Sequence, residues 1–230
     1  MTKLVVFDLD GTLARTNDVD RECYAQALLE TLEMEGLSTD WDSYTHVTDE
    51  SIVQQISLER LGRPLESAES ARIQARLVEL FGARSAEFGE IPGAGDLVRG
   101  LQANGGWAVA VATGSWRCSA EFKIRHTGLP IAELPAAHAE DGPSRESIVS
   151  AAIERARCYY NVPSFERIVS VGDGLWDVRT ARNLGLPFLG IAEEPDASAL
   201  RAEGASHVLA DFGDTAHSLL LLDQVRIPNT

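Results

Sequence analysis

Four acidic side chains stand where apolar runs stop. The run at residues 4–7 ends on Asp8, with Asp10 two positions later and Gly11 behind it; the run in "RIVSVGDGLWD" ends on Asp173, with Asp177 four residues on. A third run, "WAVAVATGS", ends on Thr113, Gly114 and Ser115. In an open parallel sheet, ligands bind at the carboxyl ends of the strands, so these three ends bring polar groups to one edge. Carboxylates gathered there repel one another unless a metal ion or another cation joins them or some are protonated. Oxygen ligands of this kind favour a hard cation, and Mg²⁺ is the common choice where phosphate is the partner.

Such a site needs a scaffold, and the order of the apolar runs supplies one. Short β-type runs at "LVVFD", "WAVAVAT", "RIVSVGD" and "PFLGIA", with weaker ones at "ELPAAHA" and "SHVLA", alternate with helical patterns from residue 94 onward. Alternation of this kind predicts a doubly wound α/β fold, a parallel sheet with helices on both faces. Residues 17–88 differ, because Tyr24, Leu28 and Leu32, then Ile52 and Ile56, then Ile73, Leu77 and Leu80 follow helical spacing. Gly62 and Pro64 lie between the second and third of these stripes and separate them. The expected architecture is a core of residues 1–16 and 89–230 interrupted by an all-helical insertion at 17–88. Pro92 and Gly93 lead into a core helix ending at Asn104, Gly105 and Gly106. The tail "RIPNT" is expected to be loose.

Composition limits the partners. The chain has 230 residues, 44% of them hydrophobic, and a formal net charge of -15. That charge argues against nucleic acid or an anionic membrane, both of which call for clustered Lys and Arg. The expected partner is a small molecule, bound by a monomer or homodimer. Cys23, Cys118 and Cys158 are odd in number and widely spaced, which suits reduced thiols. Residues 4–7 meet Asp8 too early for a signal segment, so a cytoplasmic location is expected.

The combination of motifs resembles the haloacid dehalogenase (HAD) superfamily, in particular its phosphatase branch with a type-1 helical cap, which includes phosphoglycolate phosphatase and beta-phosphoglucomutase-like members. "FDLDGTL" is similar to the first family motif, "VATGS" to the second and "VGDGLWD" to the fourth, in the family order. The resemblance implies that Asp8 is the nucleophile toward phosphorus and that Asp10 is general acid and then base. It implies that Asp8, Asp10 (through its carbonyl), Asp173 and Asp177 hold Mg²⁺. Thr113, with backbone N–H groups of Leu9 and Gly114, would bind the phosphoryl oxygens. The implied substrate is a small phosphorylated metabolite, hydrolysed through an aspartyl-phosphate. A phosphosugar mutase shares these residues and remains the alternative. A dehalogenase has no use for Asp10, and a non-catalytic binding protein has no need to keep every acid.

The third motif departs from the family pattern, since "EDGPSRESIVSAAIERA" lacks lysine. Arg145, with Ser144 as its N-cap, is the candidate cation for catalysis and phosphate binding. Lys123 is the rival, but ten residues beyond Thr113 on a helix it is expected roughly 15 Å away. Singly, each motif has an ordinary reading: a turn with Gly11 at positive φ, a strand-to-helix turn at Thr113, an acidic first turn at Asp177, a surface arginine at 145. Trp116, Arg117 and Trp176 adjoin the motifs, although packing explains the tryptophans equally well. His46 and the surrounding "THVTDES" are candidate substrate contacts from the insertion.

Overall fold

Residues along strand β1 (Lys3–Phe7) alternate between two hydrophobic layers, Val5 and Phe7 in one and Leu4 and Val6 in the other. Successive strand side chains point to opposite faces, and a strand covered on both sides therefore reads as an unbroken apolar run. The same holds for β4 (Trp107–Ala112), where Val109 and Val111 oppose Ala108, Ala110 and Ala112. The computed structural model describes every residue except Met1, Glu35, Leu37, Thr39, Asn104 and Thr230.

Between these two strands lie β2 (Ala14–Arg15), α1 (Asn17–Leu32), α2 (Asp49–Leu61), α3 (Ser67–Arg84), β3 (Gly89–Glu90) and α4 (Ala94–Ala103). After β4 come α5 (Arg117–Thr127), β5 (Ala136–Ala137), α6 (Arg145–Tyr159), β6 (Ile168–Gly172) and α7 (Leu175–Leu184). The chain finishes with β7 (Phe188–Ile191), α8 (Asp196–Ala202), β8 (Val208–Leu209) and α9 (Thr215–Gln224). All six expected strands form one parallel sheet in the order β5-β4-β1-β6-β7-β8. The chain winds outward from β1 in one direction and then the other, so the crevice at its carboxyl end is the topological switch point.

The helices of residues 17–84 enclose an apolar cluster of their own, containing Tyr24, Leu28, Ile52, Ile56, Ile73 and Leu77. Gly62 ends α2 at φ +69°, the left-handed conformation that glycine adopts without strain. Trp116 and Ala139, from loops at the sheet edge, complete this cluster. A short antiparallel ribbon joins the two crossings, pairing Ala14 with Glu90 and Arg15 with Gly89. Two-residue strands are too brief for periodicity to reveal, so the sequence shows no sign of it.

The expected end of the core helix holds, and the expected loose tail does not. Core helix α4 is described through Ala103, directly before the expected stop at Asn104, Gly105 and Gly106, of which Asn104 lies outside the described residues. Residues 226–229 are tied down: Phe188 N–H donates to the Arg226 carbonyl at 3.1 Å, Arg182 donates to the Asn229 carbonyl at 3.1 Å, and Pro228 is buried. The polar look of the segment hid backbone acceptors that the sheet edge and α7 use. No helix among the described residues is long and apolar enough to cross a membrane, and all three cysteines are unpaired.

Candidate active site

Asp8 follows β1, Thr113 follows β4 and Asp173 follows β6, so three adjacent parallel strands deliver their next residues to one edge. Gly11 turns the chain away from it at φ +74°. A Cβ there would lie 2.0 Å from Asp173 Oδ2, so the turn and the close approach both require glycine. The Leu9 carbonyl accepts N–H bonds from Leu13 and Ala14 at 2.9 and 2.8 Å, fixing the loop that carries Asp8 and Asp10.

Arg145 reaches this edge from the first position of α6, where the Ser144 side chain accepts the Ser147 N–H at 3.3 Å as N-cap. Its Nη2 lies 2.9 Å from Asp8 Oδ1 and 2.6 Å from Asp177 Oδ1. The N–H is aligned on Asp177, which leaves the buried Asp8 Oδ1 without a hydrogen-bond partner. Asp177, in the first turn of α7, also accepts the Gly174 N–H at 3.0 Å. Asp173 is held by Asn17 Nδ2 at 2.9 Å and by the Thr12 hydroxyl at 3.3 Å.

Electrostatics follow from this crowding. Burial pushes the Asp8 carboxyl up to about 7 against the pull of Arg145, with Asp177 and Asp10 adding repulsion. Burial, then Asp8 and Asp177, push Asp173 well above the carboxylate range. Carboxylate oxygens of Asp8, Asp173 and Asp177 lie within 4.8 Å of one another. Three hard oxygen donors, one of them orphaned, form a set that fits a divalent cation such as Mg²⁺.

Thr113 is buried, and its Oγ1 accepts the Ser115 N–H at 3.1 Å. Gly114 adjoins the helical layer, where its carbonyl accepts the Asp49 N–H at 2.8 Å. A Cβ on Gly114 would come within 2.6 Å of Arg145 Nη1 and 2.7 Å of the Val47 carbonyl. Asp8, Asp10, Thr113, Gly114 and Arg145 line one cavity of about 80 Å³, together with Asp20, Asp49, Trp41 and Trp176.

Lys123 departs from expectation. Its side chain is fully buried, and Nζ lies 2.8 Å from Asp10 Oδ1 and 2.6 Å from Asp20 Oδ1. The separation of roughly 15 Å counted rise from Thr113, whereas α5 begins at Arg117 and side chains on a helix tilt back toward its N-terminus. The long lysine stem covers the remaining distance. Asp10 also accepts from the Thr16 hydroxyl at 2.5 Å and the Ser115 hydroxyl at 2.9 Å. Burial works to raise the Asp10 carboxyl, but Lys123 and these bonds outweigh it and hold the group below its usual range.

Other neighbours sort cleanly. Trp176 lines the cavity, while Trp116 is wholly buried, stacked on Tyr24 and bonded through Nε1 to Glu50 at 2.9 Å. Arg117 is exposed with its N–H on Glu140, and exposed His46 lines grooves outside this cavity. Sequence reasoning missed Thr16, Asn17 and Asp20, and gave Ser115 and Asp49 only as members of their stretches. Asp20 and Asp49 carry the look of ordinary first-turn acids, and only packing turns them toward the site.

The family model described as haloacid dehalogenase-like hydrolase matches residues 2–185. Protein CbbY of Rhodobacter capsulatus is 29% identical over 134 residues, which are 54% of this chain and 56% of that protein; the match thus spans about half of the curated relative. Among solved structures, a hydrolase from Pseudomonas syringae superposes with TM-score 0.71 at 19% identity, covering 96% of this chain and 99% of that one. CbbY from Rhodobacter sphaeroides, in complex with phosphate, gives 0.68 at 24% identity over 93% and 96% of the two chains. A mutant of the same protein in complex with xylulose-(1,5)-bisphosphate gives 0.69 at 23% identity over the same shares. These structural likenesses establish the fold.

Proposed function

Because the chain belongs to the haloacid dehalogenase-like hydrolase family, we propose that it is an enzyme of the phosphatase branch, a Mg²⁺-dependent phosphatase acting on a small phosphorylated metabolite through an aspartyl-phosphate. The observation that carries this reading is the convergence of Asp8, Asp173, Asp177, Arg145 and Thr113 at adjacent strand ends. The phosphate and sugar bisphosphate bound by Rhodobacter sphaeroides CbbY support a phosphoester as the ligand class.

In this reading Asp8 Oδ forms a bond to phosphorus as the bond to the leaving oxygen breaks, and Asp10 supplies the proton that oxygen takes up. Asp10 then accepts a proton from water, which cleaves the aspartyl-phosphate and releases phosphate. Thr113 and the backbone N–H groups of Leu9 and Gly114 hold the phosphoryl oxygens. Arg145 steadies Asp8 and phosphate in place of the family's lysine, with its Nη2 between Asp8 and Asp177. Asp8, the Asp10 carbonyl, Asp173 and Asp177 would hold Mg²⁺, which when bound neutralises phosphoryl charge and the crowded acids.

Residues 17–88 serve as a cap over a core of 1–16 and 89–230, a division supported by the separate helical cluster and the ribbon at the crossings. With a cavity of about 80 Å³, the docked arrangement suits a phosphoryl group and little more. In this reading the cap opens to admit substrate, and its closure excludes water. A cytoplasmic site of action goes with three unpaired cysteines.

A panel of phosphorylated metabolites, assayed for phosphate release with Mg²⁺ and with EDTA, tests this function. Turnover of at least one ester is expected, abolished by EDTA and reduced at least a thousandfold by Asp8→Asn. Absence of turnover across the panel, or an Asp8→Asn enzyme with full activity, overturns it. Isomerisation of a sugar phosphate without phosphate release would assign the mutase reaction instead.

A further inference from the structure

Lys123 is a fully buried cation that the phosphatase chemistry does not use. Its Nζ lies 2.8 Å from Asp10 Oδ1, 3.0 Å from the Ser115 hydroxyl and 2.6 Å from Asp20 Oδ1, with the Phe81 ring 5.4 Å away. Four segments therefore meet at one ammonium: the loop after β1, the loop after β4, α1 and α3. A buried charge without partners costs several kcal/mol, so the ammonium holds its carboxylates close.

We propose that Lys123 is a positioning residue that fixes the Asp10 carboxylate for attack of water on the aspartyl-phosphate, and that Asp20 completes this arrangement only when the helical layer is docked. The proposal rests on the phosphatase reading above. Both Asp10 oxygens are engaged, Oδ1 by Lys123 and Thr16 and Oδ2 by Ser115, so the carboxylate has one orientation. It shares the cavity with Asp8, where the phosphoryl group would sit. Asp20 belongs to α1, and separating that helix from the core removes one of the two carboxylates that Lys123 holds. The geometry thus ties the position of the base to the docking of the helices over the site.

The consequence is specific to one half of the reaction. An activated ester such as 2,4-dinitrophenyl phosphate has a leaving group that needs no proton, so transfer to Asp8 proceeds without help from Asp10. Hydrolysis of the aspartyl-phosphate still requires a base to take the proton of the attacking water. A protein with a misplaced Asp10 should therefore stall after the first transfer.

The experiment is pre-steady-state release of dinitrophenol by Mg²⁺-loaded wild type, Lys123→Met and Asp20→Asn, with intact-protein mass used to count phosphoenzyme. Lys123→Met is expected to give a burst near one equivalent, then a kcat reduced at least tenfold with KM falling alongside it. Asp20→Asn retains the lysine and is expected to give the same signature with a kcat loss of about threefold. It also carries the test should Lys123→Met fail to fold. A loss of burst and turnover together, or unchanged kcat in both variants, overturns the assignment. A wild type that hydrolyses no phosphoester from any panel instead refutes the phosphatase reading on which the assignment rests.

Discussion

At the scale of single residues, opposed charges and close approaches decide what each side chain can do. Asp8 remains without an aligned hydrogen bond because Arg145 is committed to Asp177, and such an orphaned oxygen is a natural metal ligand. Gly11 is equally constrained: a methyl group there would overlap Asp173 Oδ2 at 2.0 Å and Asn17 Nδ2 at 2.3 Å. Gly11→Ala is expected to cost about 1–2 kcal/mol from the left-handed backbone alone. By displacing Asp173 it should also raise the Mg²⁺ concentration for half-maximal activity at least tenfold. Thermal melts and a Mg²⁺ titration measure both effects, and an unchanged Mg²⁺ requirement would remove Asp173 from the proposed metal set. Arg145, Asp8, Asp10 and Asp173 are all legible in the sequence because each lies next to a strand end or helix start. The place of Lys123 is not, because its reach depends on where α5 begins and which way its side chains lean.

Among the elements, α6 matters out of proportion to its place on the outer layer. Ile148, Val149 and Ala152 pack it against Leu4, Val6 and Ala110 of the sheet, and its first residue is Arg145. The cap at Ser144 therefore fixes the start of the helix and the origin of the guanidinium together. Ser144→Ala should lower stability by about 1 kcal/mol and reduce kcat/KM severalfold on whichever ester proves active. Loss of stability with unimpaired kcat/KM would show that packing alone positions Arg145. The ribbon of β2 and β3 is invisible in the sequence, since four residues carry no periodicity and their pairing needs both crossings to be adjacent. The helical stripes of α1, α2 and α3 are legible because residues spaced by three and four have one common face to bury.

For the whole molecule, a net charge of -15 keeps company with a site that gathers carboxylates, so cations bear on both stability and function. pH has a second point of action away from the site. Burial, then the neighbouring Arg117, push His138 down to about 4 from its ordinary 6.5. Between these values the unfolded chain takes up a proton that the folded chain refuses, so the His138 contribution to stability falls as pH drops from about 6.5 to about 4, opposed by Asp8 and Asp173, whose raised carboxyls add stability over the same range. The His138 loss is up to roughly 3 kcal/mol. Asp141, held down to about 2 chiefly by its hydrogen bonds to Arg155, extends the decline below pH 4 in the same direction. His138→Asn should make stability fall less, or rise more, than that of wild type between pH 6.5 and pH 4 and leave the profile unchanged below, as read by melting temperature from pH 7 to pH 3. A variant whose stability still falls between pH 6.5 and pH 4 as steeply as wild type would point to other groups.

The sequence by itself determined the sheet, its strand ends and the acids upon them, because a buried strand must be apolar throughout and the first polar residue after it marks the ligand edge. "FDLDGTL", "VATGS" and "VGDGLWD" state this without reference to the rest of the chain. Only the tertiary structure decided which charges face one another. Lys123 meets Asp10 and Asp20 across α5, the β1 loop and α1, and Arg145 is shared between Asp8 and Asp177. Such pairings depend on where helices start, how they dock and how far a flexible stem extends. A linear pattern encodes none of these, because the Coulombic interaction acts through space rather than along the chain.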